Sequence, residues 1–271
     1  MSARPATDSE PRAHQLPGDL PMWHGKSISV ILPTYREKDS IAACITGFEK
    51  LGIVDDIIVV NNNAEPGTSE EVAGTTAREV IETRQGYGAA IARGLTESTT
   101  DLVCVCEPDG TFEPRDLLKL LAFTDECDFV VGSRTVSNFI WDGANMGLLL
   151  RWGNWAVAKV IEVIYNTAYL SDVGCTFRVL SWDRAQDISA HHRSSGSAFG
   201  LEMLLLAVIR RARIVQVPVN YYPRVGESSV TGHLGKTIRL GLQMLTMVLR
   251  YRVRAGRIRT AGRPALTPTE R

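Results

Sequence analysis

Short apolar runs rich in β-branched residues alternate with segments of helical periodicity along the first half of the chain. Five runs are predicted as strands, at residues 27–32, 56–60, 79–82, 102–106 and 128–132. Strands that alternate with helices at this spacing form a largely parallel, doubly wound sheet. The sequence therefore predicts an α/β fold with one main sheet.

Polar segments follow four of these strands where each strand ends, at residues 33–37, 61–64, 107–109 and 133–134. The carboxyl ends of parallel strands share one edge of an open α/β sheet, and ligands bind in the crevice outside that edge. We therefore expect the four segments to surround a single site.

Two carboxylates, Glu107 and Asp109, come directly after the fourth strand. Pro108 stiffens the link between them, and Gly110 permits a sharp turn. Carboxylate oxygens suit a hard divalent cation that must also bind phosphates. From the residues alone a second interpretation stays open, in which this is an acidic loop with Asp109 or Glu113 near a helix N-terminus.

Charge and cysteine usage narrow the class of protein. The 271 residues contain 30 Lys plus Arg and 30 Asp plus Glu, so the overall charge indicates no nucleic-acid partner. The positive charge is concentrated after residue 235, with nine Lys or Arg and one Glu.

Five scattered cysteines predict free thiols in a reducing cytoplasm. The N-terminus has no apolar core of the signal-peptide type, and no apolar run is long enough to span a membrane.

An ordered set of segments resembles family 2 glycosyltransferases, which have the GT-A fold, and within them the polyprenol- or dolichol-phosphate hexose synthases. The segments lie between residues 28 and 251 and read VILPTYRE, DIIVVNNNAEPGT, RQGYGAAIARGL, EPDG, VVGSR, DVGCTFR and PRVGESS. On this basis we expect a disordered leader at 1–25, a GT-A domain at 26–229, an amphipathic basic helix at 230–258 and a disordered basic tail at 259–271.

The resemblance implies which residues bind the nucleotide-sugar. Glu107 and Asp109 match the DXD motif, whose carboxylates bind Mg²⁺ or Mn²⁺ and, through it, the diphosphate. Asn61 and Asn62 stand where the family usually has two aspartates, which leaves the donor base (GDP- or UDP-hexose) open. The full set expected at the nucleotide-sugar is Pro33, Tyr35, Glu37, Asn61, Asn62, Arg84, Gly86, Glu107, Pro108 and Asp109.

The same resemblance implies the acceptor side. Besides Asp109, Asp172 and Glu202 are the expected catalytic residues, with Glu202 acting as a base or only positioning the acceptor. Because a guanidinium binds phosphate through two parallel hydrogen bonds, the expected phosphate ligands are Arg134, Arg151 and Arg224. Ser229 stands where the family has a lysine, which removes one phosphate contact.

Two predicted helices, at 142–166 and 234–251, combine an apolar stripe with arginines. Such helices either dock on the domain or lie on an anionic membrane surface. For the second helix we expect its apolar stripe to dock and the basic tail to attract the membrane.

The sequence thus predicts a metal-dependent, inverting glycosyltransferase that moves a hexose from a nucleotide-sugar to a polyprenyl phosphate, as a peripheral protein on the cytoplasmic face of the plasma membrane. Two alternatives stay open: a soluble family 2 enzyme that acts on a small alcohol or natural product, and a nucleotide-binding regulatory module without catalysis. The sequence does not indicate the oligomeric state.

Overall fold

The structure, a computed structural model, describes residues 23–144, 148–225 and 234–261, without the side chains of 148–150 and 234–238. Most of the predicted leader, the end of the predicted tail and Ser229 lie outside the described residues.

Within the described residues, seven strands form one sheet in the order β3-β2-β1-β4-β6-β5-β7. The strands are β1 (Ile28–Thr34), β2 (Asp56–Asn61), β3 (Arg78–Ile81), β4 (Leu102–Val105), β5 (Phe129–Ser133), β6 (Arg178–Ser181) and β7 (Ile214–Pro218). All neighbouring pairs are parallel except the two that involve β6, which is antiparallel to both β4 and β5. The five predicted strands are all present to within two residues at each end.

The helices that connect the strands are α1 (Lys38–Glu49), α2 (Thr68–Ala73), α3 (Tyr87–Glu97), α4 (Leu117–Leu121), α5 (Leu148–Tyr165), α6 (Trp182–His191), α7 (Phe199–Ile209) and α8 (Leu234–Thr260). A 3₁₀ turn at Pro114–Asp116 directly precedes the short helix α4. The helix predicted from 142 begins at Leu148, and residues 142–144 form a turn and its exit instead.

The centre of the sheet is the hydrophobic core. Every residue of β1 is buried, because this strand lies between β2 and β4 and is covered by helices. One close approach depends on a missing side chain: a Cβ on Gly94 of α3 would lie 2.3 Å from Cγ2 of Ile31. Burial of these β-branched side chains supplies the main stabilisation of the fold.

The C-terminal helix α8 docks on α5 and α7. Val248, Tyr251 and Ala255 of α8 are buried, and the Tyr165 hydroxyl of α5 donates a 2.8 Å hydrogen bond to the Val248 carbonyl. The opposite side of α8 is exposed. None of the helices in the described ranges is long and apolar enough to cross a bilayer.

Candidate active site

A cavity of about 480 Å³ opens at the edge where β1, β2, β4 and β5 end. Nine of the predicted site residues line it: Pro33, Tyr35, Glu37, Asn62, Glu107, Pro108, Asp109, Arg134 and Arg224. The topology explains this convergence, since parallel neighbours deliver their exit loops to the same edge.

The exit of β4 places Asp109 in the floor of the cavity. Asp109 is 2% exposed, and its Oδ1 accepts hydrogen bonds from the Thr111 amide (3.0 Å) and the Thr111 hydroxyl (2.6 Å). Its Oδ2 lies 3.3 Å from Nη1 of Arg224. One oxygen thus holds the turn, and the other is the one available to a cation in the cavity.

Glu107 lies beside Asp109, and the two carboxylates repel each other. Burial and the charge of Asp109 raise the pKa of Glu107 to about 7, against the opposing effects of Arg224, Arg134 and a hydrogen bond with Tyr87. A divalent cation between the two carboxylates would relieve this repulsion and favour the ionised form.

The carboxylate pair fits a cation that also binds a diphosphate. Among the described residues, no group of three or more His, Cys, Asp or Glu side chains is arranged to enclose a metal. Mg²⁺ and Mn²⁺ sites that serve phosphate chemistry commonly use one or two carboxylates, with phosphate oxygens and water completing the shell. Glu107 and Asp109 supply that partial set.

Glu37 shapes the loop after β1. Its Oε2 accepts hydrogen bonds from the amides of Tyr35 and Arg36, each at 2.8 Å, and its Oε1 lies 2.6 Å from Nη2 of Arg224. The Tyr35 ring is 44% exposed at the cavity mouth. The loop therefore presents Tyr35 rather than the carboxylate of Glu37 to a ligand.

The hydrogen-bonding capacity of the Asn62 side chain is taken up by other groups of the protein. Its Nδ2 donates to the carbonyls of Glu82 (2.8 Å) and Arg84 (2.9 Å), and its Oδ1 accepts from the amide of Gly86 (2.7 Å). Gln85 adds a donor to the same oxygen at 3.2 Å. The Asn62 amide thus fastens the 82–86 segment to the end of β2, although its side chain was expected to read the nucleoside.

Three other residues expected at the nucleotide do not line the cavity. Asn61 bonds the Glu79 carboxylate through Nδ2 at 2.8 Å. Arg84 and Gly86 form hydrogen bonds with the Asn62 side chain through their backbone atoms, as described above. Gly86 has φ 142°, a conformation that favours glycine.

On the other side of the cavity, Arg134 is held by Asp172. The Arg134 Nε–Oδ2 and Nη2–Oδ1 distances are 2.9 and 3.1 Å, and the Arg134 amide also bonds Oδ2 at 3.0 Å. Burial opposes ionisation of Asp172, but Arg134 and the Gly174 amide hold its pKa below the usual value. Asp172 is fully buried and does not line the cavity, whereas its partner Arg134 does.

Arg151 and Glu202 also lie away from the cavity wall. Arg151 is half-buried in the first turns of α5. Glu202 is fully buried, and its oxygens accept hydrogen bonds from the amides of Arg193 and Ser194 and from the Tyr251 hydroxyl. Its carboxylate therefore faces protein donors rather than the cavity.

Several wall residues were not predicted, notably Gln85, Tyr87, Asn154, Leu240 and Met244. Tyr87 lies within the RQGYG segment, in which the family resemblance indicates Arg84 and Gly86 instead. Leu240 and Met244 belong to α8, so the C-terminal helix forms part of the cavity as well as docking on the domain. Helical periodicity alone gives no signal for this, because it does not show where a terminal helix packs.

Residues 29–179 match the family model described as glycosyl transferase family 2. The matched region spans β1 to β6 and contains the carboxylate pair, Arg134 and Asp172.

Individual relatives extend the match over most of the chain. An uncharacterised glycosyltransferase of Mycobacterium tuberculosis is 31% identical over 223 residues, which is 79% of this chain and 94% of that protein. An undecaprenyl-phosphate mannosyltransferase of Micrococcus luteus is 27% identical and covers 76% of this chain, with 88% of its own length aligned. A dolichyl-phosphate hexose transferase of Haloferax volcanii is 25% identical, over 84% of this chain and 96% of its own.

Among solved structures, the glucosyl-3-phosphoglycerate synthase of Mycobacterium tuberculosis, in complex with Mn²⁺, UDP and glucosyl-3-phosphoglycerate, aligns with TM-score 0.63 at 19% identity. The alignment covers 84% of this chain and 80% of that structure. The expected GT-A fold and the expected family are confirmed.

Proposed function

Because the chain belongs to glycosyl transferase family 2 and is a glycosyltransferase, we propose that it moves a hexose from a nucleotide-sugar to a polyprenyl phosphate at a membrane surface. The observation that carries the proposal is the make-up of one cavity. Two carboxylates suited to a divalent cation, two arginines suited to a phosphate, and apolar side chains of α8 line the same space.

The donor would bind beside the carboxylates. Glu107 and Asp109 would hold Mg²⁺ or Mn²⁺, which neutralises charge on the leaving diphosphate. Tyr35 at the mouth and the wall formed by Asn62 and Gln85 would enclose the nucleoside. In this role Asp109 acts as a catalytic residue through the cation rather than as a proton acceptor.

The acceptor phosphate would bind between Arg134 and Arg224. One phosphate oxygen attacks the anomeric carbon on the face opposite the diphosphate, the bond from that carbon to the diphosphate oxygen breaks, and the nucleoside diphosphate leaves. The configuration at the anomeric carbon is inverted. A phosphate monoester is anionic near neutral pH and needs no strong base, which agrees with the burial of Glu202 away from the cavity. Asp172 would orient Arg134 and keep it charged.

The lipid part of the acceptor has a fitting surface beside the cavity. Asn154 of α5 and Leu240 and Met244 of α8 line the cavity, and both helices continue into exposed apolar side chains. Trp152 of α5 is 60% exposed, and Leu249 and Val253 of α8 are 57% and 88% exposed. Exposed arginines at 239, 250, 252, 254, 257 and 259 accompany the α8 stripe. An apolar strip between arginines suits an interface of anionic lipid, so we propose a peripheral position on the cytoplasmic leaflet.

A second candidate is a soluble enzyme with a small acceptor. The structural similarity to an enzyme solved with glucosyl-3-phosphoglycerate favours it, as does Ser229 in place of a lysine. A small phosphorylated acceptor would use the same two arginines. An alcohol acceptor has less support, because Glu202 does not line the cavity. The described carboxylates that do line it, Glu37, Glu107 and Asp109, contact Arg224 or serve the proposed cation.

A panel of donors and acceptors tests the proposal. The protein is incubated with Mn²⁺, one of UDP-, GDP- or dTDP-hexose, and either a polyprenyl phosphate or 3-phosphoglycerate, and the products are identified by mass spectrometry. The proposal expects a polyprenyl phosphate hexose. A hexosyl phosphoglycerate alone would support the soluble enzyme. Absence of transfer and of donor hydrolysis under all conditions would support the regulatory module.

A further inference from the structure

Glu202 is a buried carboxylate that the proposed reaction does not use. It is 0% exposed on α7, and it accepts hydrogen bonds from the amides of Arg193 (2.6 Å) and Ser194 (2.7 Å). Its third partner is the hydroxyl of Tyr251, which α8 contributes from the other side. Burying a carboxylate is costly unless it is hydrogen-bonded, and here three donors from two different parts of the chain compensate it.

The two amides belong to the loop between α6 and α7, residues 192–198, which lies against the nucleotide side of the cavity. The Ser195 carbonyl accepts a 3.1 Å hydrogen bond from the Ala89 amide. A Cβ on Gly86 would lie 2.3 Å from the Ser195 oxygen, and a Cβ on Gly88 would lie 2.8 Å from the Ser194 oxygen. The loop is therefore in direct backbone contact with the 86–89 segment.

The 86–89 segment belongs to the part of the cavity wall where the nucleotide-sugar is proposed to bind, which we call the donor wall. The Gly86 amide donates to Asn62, and Tyr87 lines the cavity beside Glu107. The loop itself continues into Ser197 and Ala198, which also line the cavity. A continuous set of hydrogen bonds and backbone contacts thus runs from Tyr251 of α8 through Glu202 and the 192–198 loop to the donor wall.

We infer that Glu202 and Tyr251 form a positioning pair that couples the docking of α8 to the shape of the nucleotide-sugar site. This inference rests on the proposed placement of the nucleotide-sugar in the cavity. Helix α8 also carries the exposed apolar and basic side chains that would meet the membrane. Stabilising α8 at that surface would therefore stabilise the donor wall in the arrangement described above. As a consequence, donor affinity would be higher on vesicles than in solution.

The test compares two tyrosine hydroxyls that both anchor α8. Tyr251→Phe removes the bond to Glu202, whereas Tyr165→Phe removes the bond to the Val248 carbonyl and leaves the hydrogen bonds of Glu202 in place. Amide hydrogen exchange is measured without ligand at residues 86–90 and 193–198. UDP and GDP binding, each with Mn²⁺, is then measured by calorimetry, and kcat and KM are determined with the active donor.

Tyr251→Phe is expected to speed exchange at Arg193, Ser194 and Ala89 by about tenfold and to weaken nucleotide binding by roughly fivefold to tenfold, with kcat within about twofold of wild type. Tyr165→Phe, which removes a different α8 contact and keeps the Tyr251–Glu202 bond, should change exchange at these amides and nucleotide affinity by less than about twofold. If the two variants changed amide exchange and nucleotide affinity to the same extent, whether both effects were large or both negligible, the inference would be overturned. Glu202→Gln is a second variant, expected to affect the same amides.

The exchange and binding measurements separate this inference from the proposed function. If wild-type protein bound neither nucleotide, the proposed donor site would fail, while the exchange data would still decide whether Tyr251 controls the 86–89 segment. If nucleotides bound but Tyr251→Phe changed neither exchange nor affinity, only the positioning pair would be refuted.

Discussion

The Arg224 guanidinium lies 3.3 Å from the Asp109 carboxylate, through Nη1 and Oδ2. A positive side chain is thus already placed beside the oxygen that we propose as a metal ligand. The other nitrogen of the fork, Nη2, contacts Glu37 at 2.6 Å. Arg224 therefore stabilises the carboxylates before any cation binds, and it competes electrostatically with a cation that binds alone.

Replacing Arg224 should change the affinities for metal and for phosphate in opposite directions. Arg224→Gln removes a positive charge next to Asp109, so Mn²⁺ alone should bind several-fold tighter, a gain on the order of 1 kcal/mol after solvent screening. Transfer to the phosphate acceptor should fall by about tenfold or more, because a positively charged phosphate ligand is lost. Mn²⁺ titration by electron paramagnetic resonance and steady-state kinetics measure the two effects.

Arg36→Gln is the matched control for this prediction. Arg36 also lines the cavity, but its guanidinium stacks over the Tyr35 ring at 5.1 Å. The same change in charge should leave Mn²⁺ affinity nearly unchanged. Weaker Mn²⁺ binding in Arg224→Gln would show that Arg224 supports the metal site rather than competing with it.

Asn62 should not tolerate the aspartate that the family usually has. Asn62→Asp replaces two donated hydrogen bonds with a carboxylate facing the carbonyls of Glu82 and Arg84, which should cost about 1–3 kcal/mol of unfolding free energy. Urea unfolding at neutral pH measures the loss. Asn63→Asp makes the same change at the neighbouring exposed residue, whose amide donates to the Gln85 side chain at the surface rather than to buried carbonyls, and it should alter stability by less than about 0.5 kcal/mol. Equal stabilities of the two variants would contradict the structural role of the Asn62 amide.

The Arg134–Asp172 pair predicts a pH dependence of stability. Burial raises the pKa of Asp172, but the contact with Arg134 and the amide hydrogen bonds outweigh it and leave the pKa lowered in the folded protein. The pair is therefore fully stabilising above the unfolded pKa of about 3.9, and this contribution is lost as pH falls through the lower folded pKa.

Asp172→Asn should accordingly destabilise the protein by about 3–5 kcal/mol at pH 7, because Arg134, whose side chain is only 12% exposed, loses its counter-charge. The difference from wild type should shrink as the pH is lowered below about 4. Chemical unfolding across this pH range measures how the stability difference between wild type and Asp172→Asn changes with pH. A difference that grew on acidification would refute the prediction.

The exposed stripe of α8 should control vesicle binding. Leu242, Leu249 and Val253 recur at i, i+7 and i+11 and so lie on one side of the helix. Leu249→Glu with Val253→Glu should reduce flotation with anionic vesicles by at least about tenfold, since each apolar side chain contributes about 1.5–3 kcal/mol when buried. Wild-type binding should also weaken with salt.

Gln243→Glu with Thr260→Glu provides the control for the membrane prediction, because it adds the same two charges to exposed positions of the same helix without removing apolar surface. Its flotation should fall far less than that of the stripe variant. If wild-type protein did not float with anionic vesicles at all, the soluble enzyme would be favoured.

The central sheet was predictable because its signal is local. β1, β2 and β4 are short apolar runs that end in polar loops, and the strand ends converge as parallel topology requires. β6 was missed because Arg178 opens a strand of only four residues, and a charged residue at that place argues against burial. Its guanidinium is nevertheless fully buried and hydrogen-bonded to the carbonyls of Cys175 and Gly200.

The site was predictable in part for the same reason. Residues in strand-exit loops, such as Asp109 and Arg134, reach the cavity because the sheet edge places them there. Glu202 and Asp172 carry acidic groups that family resemblance links to catalysis, but whether such a group faces a ligand or the protein interior depends on packing. That information lies in the distant partners, Tyr251 and Arg134, which no local pattern connects to them.

The most direct test of the central claim is the Mn²⁺ dependence of nucleotide-sugar turnover in wild-type protein and in Asp109→Asn. We predict turnover that saturates with Mn²⁺, disappears in excess chelator and falls by at least about a hundredfold in Asp109→Asn. Equal turnover of the two proteins, or turnover unaffected by chelator, would contradict a catalytic cation held by Glu107 and Asp109.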